Sequence, residues 1–217
     1  MMNTFLKAKH WHLFLLVFAL PFIIYIGWLV AFFSDIISNF DYYDSVDFPV
    51  EIFSSITTMI LLMMIPVVIQ YAWFWSMAIG LQKKLPQGTT MKTGLFKAFF
   101  IIPIVYGALY LFGVVTFFGS IENIEDLENL DKLGQIGDAQ IGLLIVGFML
   151  FIVLSLFVTF CSFYQFWFIA KTIKSAELQR DVKFSEFVGE FFLVWFYPIG
   201  VWILQPTINK LVAEDNP

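Results

Sequence analysis

The chain has 217 residues, 60% of them hydrophobic and 13% charged, with a formal net charge of −5. A soluble domain is typically about 45–50% apolar and about 25% charged. Here 12 basic and 17 acidic side chains accompany 28 phenylalanines, which excludes a water-covered globule and indicates one integral membrane domain.

A helix needs about 20 mostly apolar residues to cross roughly 30 Å of hydrocarbon. The first such run is about 13–33, after Lys7 and Lys9. It is longer than a usual signal-peptide core and lacks an A-x-A-like site, so it reads as a retained span. His10 and His12 precede it as H-x-H. Positions i and i+2 do not share a helix face, and no Cys or carboxylate cluster accompanies them. They read as interfacial residues beside Trp11, and no metal or cofactor is expected.

An acidic stretch follows, with Asp35, Asp41, Asp44, Asp47 and Glu51. The second run, about 56–81, carries Pro66 and Gln70 and leaves through YAWFWSMAIGLQKK. A basic loop then holds Lys83, Lys84, Lys92 and Lys97, before a third run at about 98–118. The next loop places Ile121, Ile124, Leu127, Leu130 and Leu133 at every third position among acids. That spacing suits a short amphipathic helix lying on the membrane or the bundle. It lacks the alternating oxygen ligands and glycine turn of an EF-hand.

The fourth run, about 141–170, is long enough to tilt or to extend past the bilayer. Within it, the lone Cys161 reads as a small buried hydrophobe. The run leaves through FYQFWFIAKTIKSA into Lys171, Lys174, Arg180 and Lys183. Residues 171–192 are expected as a helix along the inner surface, with these cations on anionic headgroups or on a docking partner. The fifth run, about 187–204, is shorter; it holds Glu190 and Pro198 and meets Gln205-Pro206. It is expected either to cross or to enter and stop.

Ten of the 12 basic residues fall in the N-terminal segment and the second and fourth loops, leaving Lys132 and Lys210. The positive-inside rule places those segments in the cytoplasm. The chain is therefore expected in the inner (plasma) membrane, N-terminus inside, with the C-terminus outside if the fifth run crosses. Trp11, Trp28, Tyr42, Tyr43, Trp73, Trp75 and Trp167 lie near the expected boundaries, where amphipathic rings are favoured.

The two aromatic-to-basic exits are related by 92 positions. Leu62, Phe74, Trp75, Ala78, Phe99 and Phe100 correspond to Leu154, Phe166, Trp167, Ala170, Phe191 and Phe192. This raises a tandem hairpin repeat, with units of about 13–97 and 98–186 in one orientation and an axis along the membrane normal. Chance matching in a Phe-rich chain is the alternative.

The fold class is all-α, a bundle of about five spanning helices. Pro21, Pro103 and Pro198 lie in odd-numbered runs and are candidate hinges, against a packing role. Glu190, with Gln70, Gln165 and Gln205, forms a candidate polar membrane site. The alternatives are a boundary carboxylate and interhelical hydrogen-bond donors. The sequence holds no Gly-rich phosphate loop, H-E-x-x-H or G-x-S-x-G, and no basic domain for nucleic acid.

The opening FLKAKHWHLFLL and the closing FFLVWFYPIGVWILQPTINK resemble small multi-pass inner-membrane proteins of bacteria. The resemblance implies a membrane fold and brings no activity or functional residues. The expected function is a non-enzymatic scaffold or accessory subunit, partnered by lipid and by a membrane protein or a second copy. The rivals are a small transporter or channel using Glu190, and an enzyme acting on lipids through His10, His12, Glu186 and Glu190.

Overall fold

The computed structural model describes residues 2–39, 47–87, 89, 91–122 and 138–213, and every regular element among them is helical. Helix α1 (Met2–Leu6) is a single short turn system ahead of α2 (His10–Phe14). Helix α2 passes through a π turn (Leu15–Ala19) into α3 (Leu20–Asn39). The widened turn comes just before Pro21, whose ring nitrogen has no hydrogen to offer the Val17 carbonyl. The Leu20 amide reaches back five residues to Leu15 instead. Pro21 therefore sits in a continuous helix.

Helix α4 (Asp47–Gly80) continues through Pro66 and closes in a 3-10 turn, Leu81–Lys84. Helices α5 (Thr93–Glu122) and α6 (Asp138–Leu178) follow. Four stretches are long and apolar enough to cross a membrane: His10–Ser38, Ser55–Lys84, Thr93–Thr116 and Ile145–Leu178. Beyond Glu122 the expected acidic amphipathic helix lies outside the described residues, as do Asp41, Tyr42, Tyr43 and Asp44.

Two expectations are corrected. Residues 171–178 do not lie along a surface; they continue α6. That helix stops at Gln179, whose φ of 51° is left-handed, a common helix stop. The Gln179 amide donates to the Ala176 carbonyl at 2.6 Å and to the Lys84 carbonyl at 3.0 Å, fastening α6 to the 3-10 turn.

The fifth run is also not one helix. It is α7 (Phe184–Trp195) and α8 (Tyr197–Ala213), joined at Phe196. Pro198 explains the break, because it has no N–H for the Val194 carbonyl four residues back. Placed in the first turn of α8, it starts a helix rather than bending one. The two helices fold onto each other so closely that a methyl group at Gly200 would overlap the Leu193 carbonyl.

Contacts fix the direction of this hairpin. Helix α7 climbs along α6, with Phe191 and Trp195 against Phe163. Helix α8 comes back down beside α2, with Trp202 against His10 and Phe14. It ends next to α1, where Gln205 and Asn209 bond residues 5–8. The two described termini thus share one end of the bundle, called the near end below.

The main core occupies the near end, with a smaller cluster of Ala170, Val182 and Phe187 beside it. Leu6, Leu13, Trp73, Met77, Leu81, Phe96, Phe168, Ile173, Val201 and Ile208 are among the buried members of the main core. Every helix except α3 supplies a residue to it or packs against it. Toward the other end, burial gives way. Helix α3 is exposed over most of its length, and Ile37, Phe112 and Leu143 show 76%, 69% and 72% of their surfaces.

Candidate functional site

The near end collects the polar side chains that lie among apolar helices. Gln205 is its centre, fully buried on α8. Its carbonyl oxygen accepts the Trp73 indole N–H at 2.9 Å. Its amide nitrogen lies 2.9, 3.2 and 3.1 Å from the carbonyls of Phe5, Leu6 and Ala8, and 3.0 Å from Asn209 Oδ1. Asn209 also donates to the Ala8 carbonyl, at 3.1 Å. The last carbonyls of a helix have no intrahelical donor. Gln205 and Asn209 supply donors to those at the end of α1 from the far end of the chain. Trp73, expected near the interface, is instead a fully buried core residue.

Gln165 does the same service for α5. It is buried on α6, and its amide donates to the Phe99 carbonyl at 2.9 Å. Phe99 lies four residues before Pro103, so its carbonyl is the one that proline deprives of a partner. The buried Pro103 and Gln165 form a matched pair across two helices. Neighbouring helices commonly re-satisfy groups freed by membrane prolines.

Glu190 is placed at the near end rather than among the two buried glutamines. Its carboxylate pairs with Lys174 Nζ at 3.0 Å, and Lys174 also pairs with Glu177 at 2.9 Å. Gln70 is half-buried on α4, one turn before Trp73 and Phe74. No hydrogen bond among the described residues joins any two of Glu190, Gln70, Gln165 and Gln205. The four do not form one polar site.

The connection from α6 to α7 is an ion-pair network. Lys171 pairs with Asp181 at 2.9 Å and sits 5.7 Å from the Trp167 ring centre. Arg180 pairs with Glu186, which also accepts the Lys183 amide at 2.8 Å and so caps α7. The Arg180 hydrogen bonds and the Lys183 amide pull the Glu186 carboxyl down to about 2. The Lys171 ammonium likewise holds Asp181 below the usual carboxylate range.

His10 packs on Trp202 at 4.8 Å, and His12 packs on Trp11 at 3.7 Å. Among the described residues, no three His, Cys, Asp or Glu side chains gather as a metal site would require. Cys161 is buried and unpaired to another cysteine.

The residues missed by sequence reasoning are Trp73, Asn209 and the backbone carbonyls. One signal was available: a proline at 103 announces an orphan carbonyl at 99. Which side chain answers it is a tertiary fact. Comparison with known proteins finds no match: no family model, curated protein or solved structure aligns with the chain.

Proposed function

We propose that the chain is a multi-pass inner-membrane protein that works as a non-enzymatic scaffold or accessory subunit. In this reading four helices span the bilayer, and α7–α8 is a hairpin that enters from the cytoplasmic side and returns to it. The observation that carries the reading is the use of the buried amides. Gln165 and Gln205 direct their N–H groups to backbone carbonyls of their own chain, which strengthens the scaffold and leaves neither of these two amides to line a route. Glu190, the carboxylate a carrier would need, is engaged by Lys174 at the near end.

The topology part of the proposal differs from the expectation of an outside C-terminus. Lys210, an exception to the charge pattern under a crossing fifth span, belongs with the other cations when α8 returns beside α1. The tandem repeat is retained as part of the reading. Phe74 and Phe166 touch at 6.0 Å, and Ala78 and Ala170 are both fully buried. Equivalent residues near a pseudo-symmetry axis would behave so, although Phe100 is buried and Phe192 is not.

Two measurements test this. Size determination in mild detergent, with gentle crosslinking in the membrane, should give an assembly larger than the 25.1 kDa protomer. A lone protomer with no crosslinked partner defeats the scaffold role. Single cysteines in the segments 83–97 and 35–51 and beyond residue 210, probed with an impermeant reagent, test the topology. The first and third should react from the same side and the second from the opposite side.

A further inference from the structure

The two basic loops look alike in sequence and differ in what surrounds them. At the C-terminal end of α6 and just beyond it, Lys171, Lys174 and Arg180 are each engaged by a carboxylate: Asp181, Glu177 with Glu190, and Glu186. The other basic segments, 7–9 and 83–97, hold no acidic residue of their own. Residues 1–34 contain no Asp or Glu, and none occurs between Glu51 and Glu122. Lys7, Lys9, Lys83, Lys92 and Lys97 are all exposed, and among the described residues no carboxylate pairs with them.

The segments that carry these five lysines meet at the near-end core. Leu6 packs on Gly80, while Leu6, Leu81 and Ile208 share the near-end core and Phe5, Ala8 and Met91 pack against it. The N-terminal segment and the loop from α4 to α5 therefore border one surface.

We propose that this lysine-rich surface binds the phosphate groups of anionic lipids in the adjoining leaflet. The lysines stand where exposed apolar faces begin, which favours lipid over an acidic protein. Lys97 shares a helix face with the exposed Ile101, Ile104 and Val105. Lys9 precedes the exposed Trp11, Leu15 and Leu16. A long cationic side chain at the end of an apolar face places its stem in hydrocarbon and its ammonium at headgroup level. The ion-paired cations after α6 are already neutralised and contribute little, contrary to the sequence expectation for Lys171, Lys174 and Arg180.

The test uses full-length protein reconstituted in bilayers with spin-labelled phosphatidylglycerol or phosphatidylcholine, reading the immobilised fraction of each. Phosphatidylglycerol should be preferred by about fivefold, the factor that one fully realised lysine–headgroup contact supplies. The preference should fall toward unity at about 1 M salt, where the Debye length is about 3 Å. Replacing Lys7, Lys9, Lys83, Lys92 and Lys97 together by Gln should abolish it, whereas Lys171→Gln with Arg180→Gln should leave it intact. If the fivefold variant loses its helical circular dichroism, K92Q/K97Q and the salt titration of the unaltered protein decide.

Equal affinity for the two lipids overturns the proposal, as does a preference insensitive to salt and to K92Q/K97Q. Efficient carbodiimide crosslinking of these lysines to a protein carboxylate in native membranes also overturns it, in favour of an acidic partner. The inference rests on the spanning assignment, and the two fail differently. Failure to insert into bilayers defeats the assignment, and insertion without lipid selectivity defeats only the binding surface.

Discussion

The near and far ends of the bundle are made from similarly apolar helices and are held by different forces. At the near end, seven helices and a 3-10 turn converge on rings and on directional hydrogen bonds. Phe96 stacks on Phe168 at 4.5 Å, and Tyr71 meets Phe100 edge-on at 5.3 Å. At the far end the helices pack as pairs. Trp28 donates to Ser55 between α3 and α4, and Tyr106 and Ser155 share a 2.7 Å bond between α5 and α6. The outer faces there are apolar and exposed among the described residues. Hydrocarbon is as apolar as leucine, so those faces need no protein partner to stay in a bilayer. The comparison separates two roles of hydrophobicity: at one end it packs the protein against itself, and at the other it matches the solvent.

The largest expected effect breaks the near end at its tightest point. Gly200→Ala should cost about 3 kcal/mol, because the Leu193 backbone cannot yield as a side chain can. Thermal unfolding in detergent would show it, together with protease access between α7 and α8. Gln205→Leu should cost about 2–3 kcal/mol by leaving the Trp73 N–H and the Leu6 carbonyl unsatisfied. Its particular sign would be release of the N-terminal helix to protease before global unfolding.

Gln165→Leu should cost about 1–3 kcal/mol, through the Phe99 carbonyl. A double-mutant cycle sharpens the point. In a Pro103→Ala background the helix supplies its own donor to Phe99, and the loss from Gln165→Leu should shrink. Additive losses would show that the amide acts elsewhere. At the far end Tyr106→Phe should cost only about 0.6 kcal/mol, the average for interhelical hydrogen bonds in membranes. A loss as large as that of Gln205→Leu would erase the contrast between the ends.

The smallest effect concerns pH. Glu186 has its carboxyl lowered from 4.5 to about 2, so its contribution is present above the unfolded value. It should be lost as pH falls from about 4.5 through about 2, loosening the first turn of α7. Glu186→Gln should remove that acid sensitivity while leaving the core intact. Hydrogen exchange of the α7 amides would read both.

The existence of the helices was legible because it depends on local composition. Runs at 98–118 and 141–170 each lie within one helix, 13–33 passes through α2, the π turn and α3, and 56–81 ends at the first residue of the 3-10 turn. The failure at 187–204 is instructive. Pro198 was visible, and so was Gly200, but hydropathy treats a bent hairpin and a crossing helix alike. What decides between them is the backbone approach at Gly200 and the pull of Gln205 toward residues 5–8, both tertiary facts. The candidate polar residues share no hydrogen bond with one another among the described residues. A glutamine in an apolar run announces that it has a partner, and only the fold shows that the partners are Phe99 and α1 rather than Glu190.

The bond from Gln205 to Phe5 spans 200 positions of sequence. During translation, at about 5–20 residues per second, the N-terminal helix waits roughly 10–40 s before that amide has been made. Until then its last carbonyls must remain hydrated, held outside the hydrocarbon. Closure of the near end is therefore a late event in biogenesis, and residues 2–8 are made long before they settle.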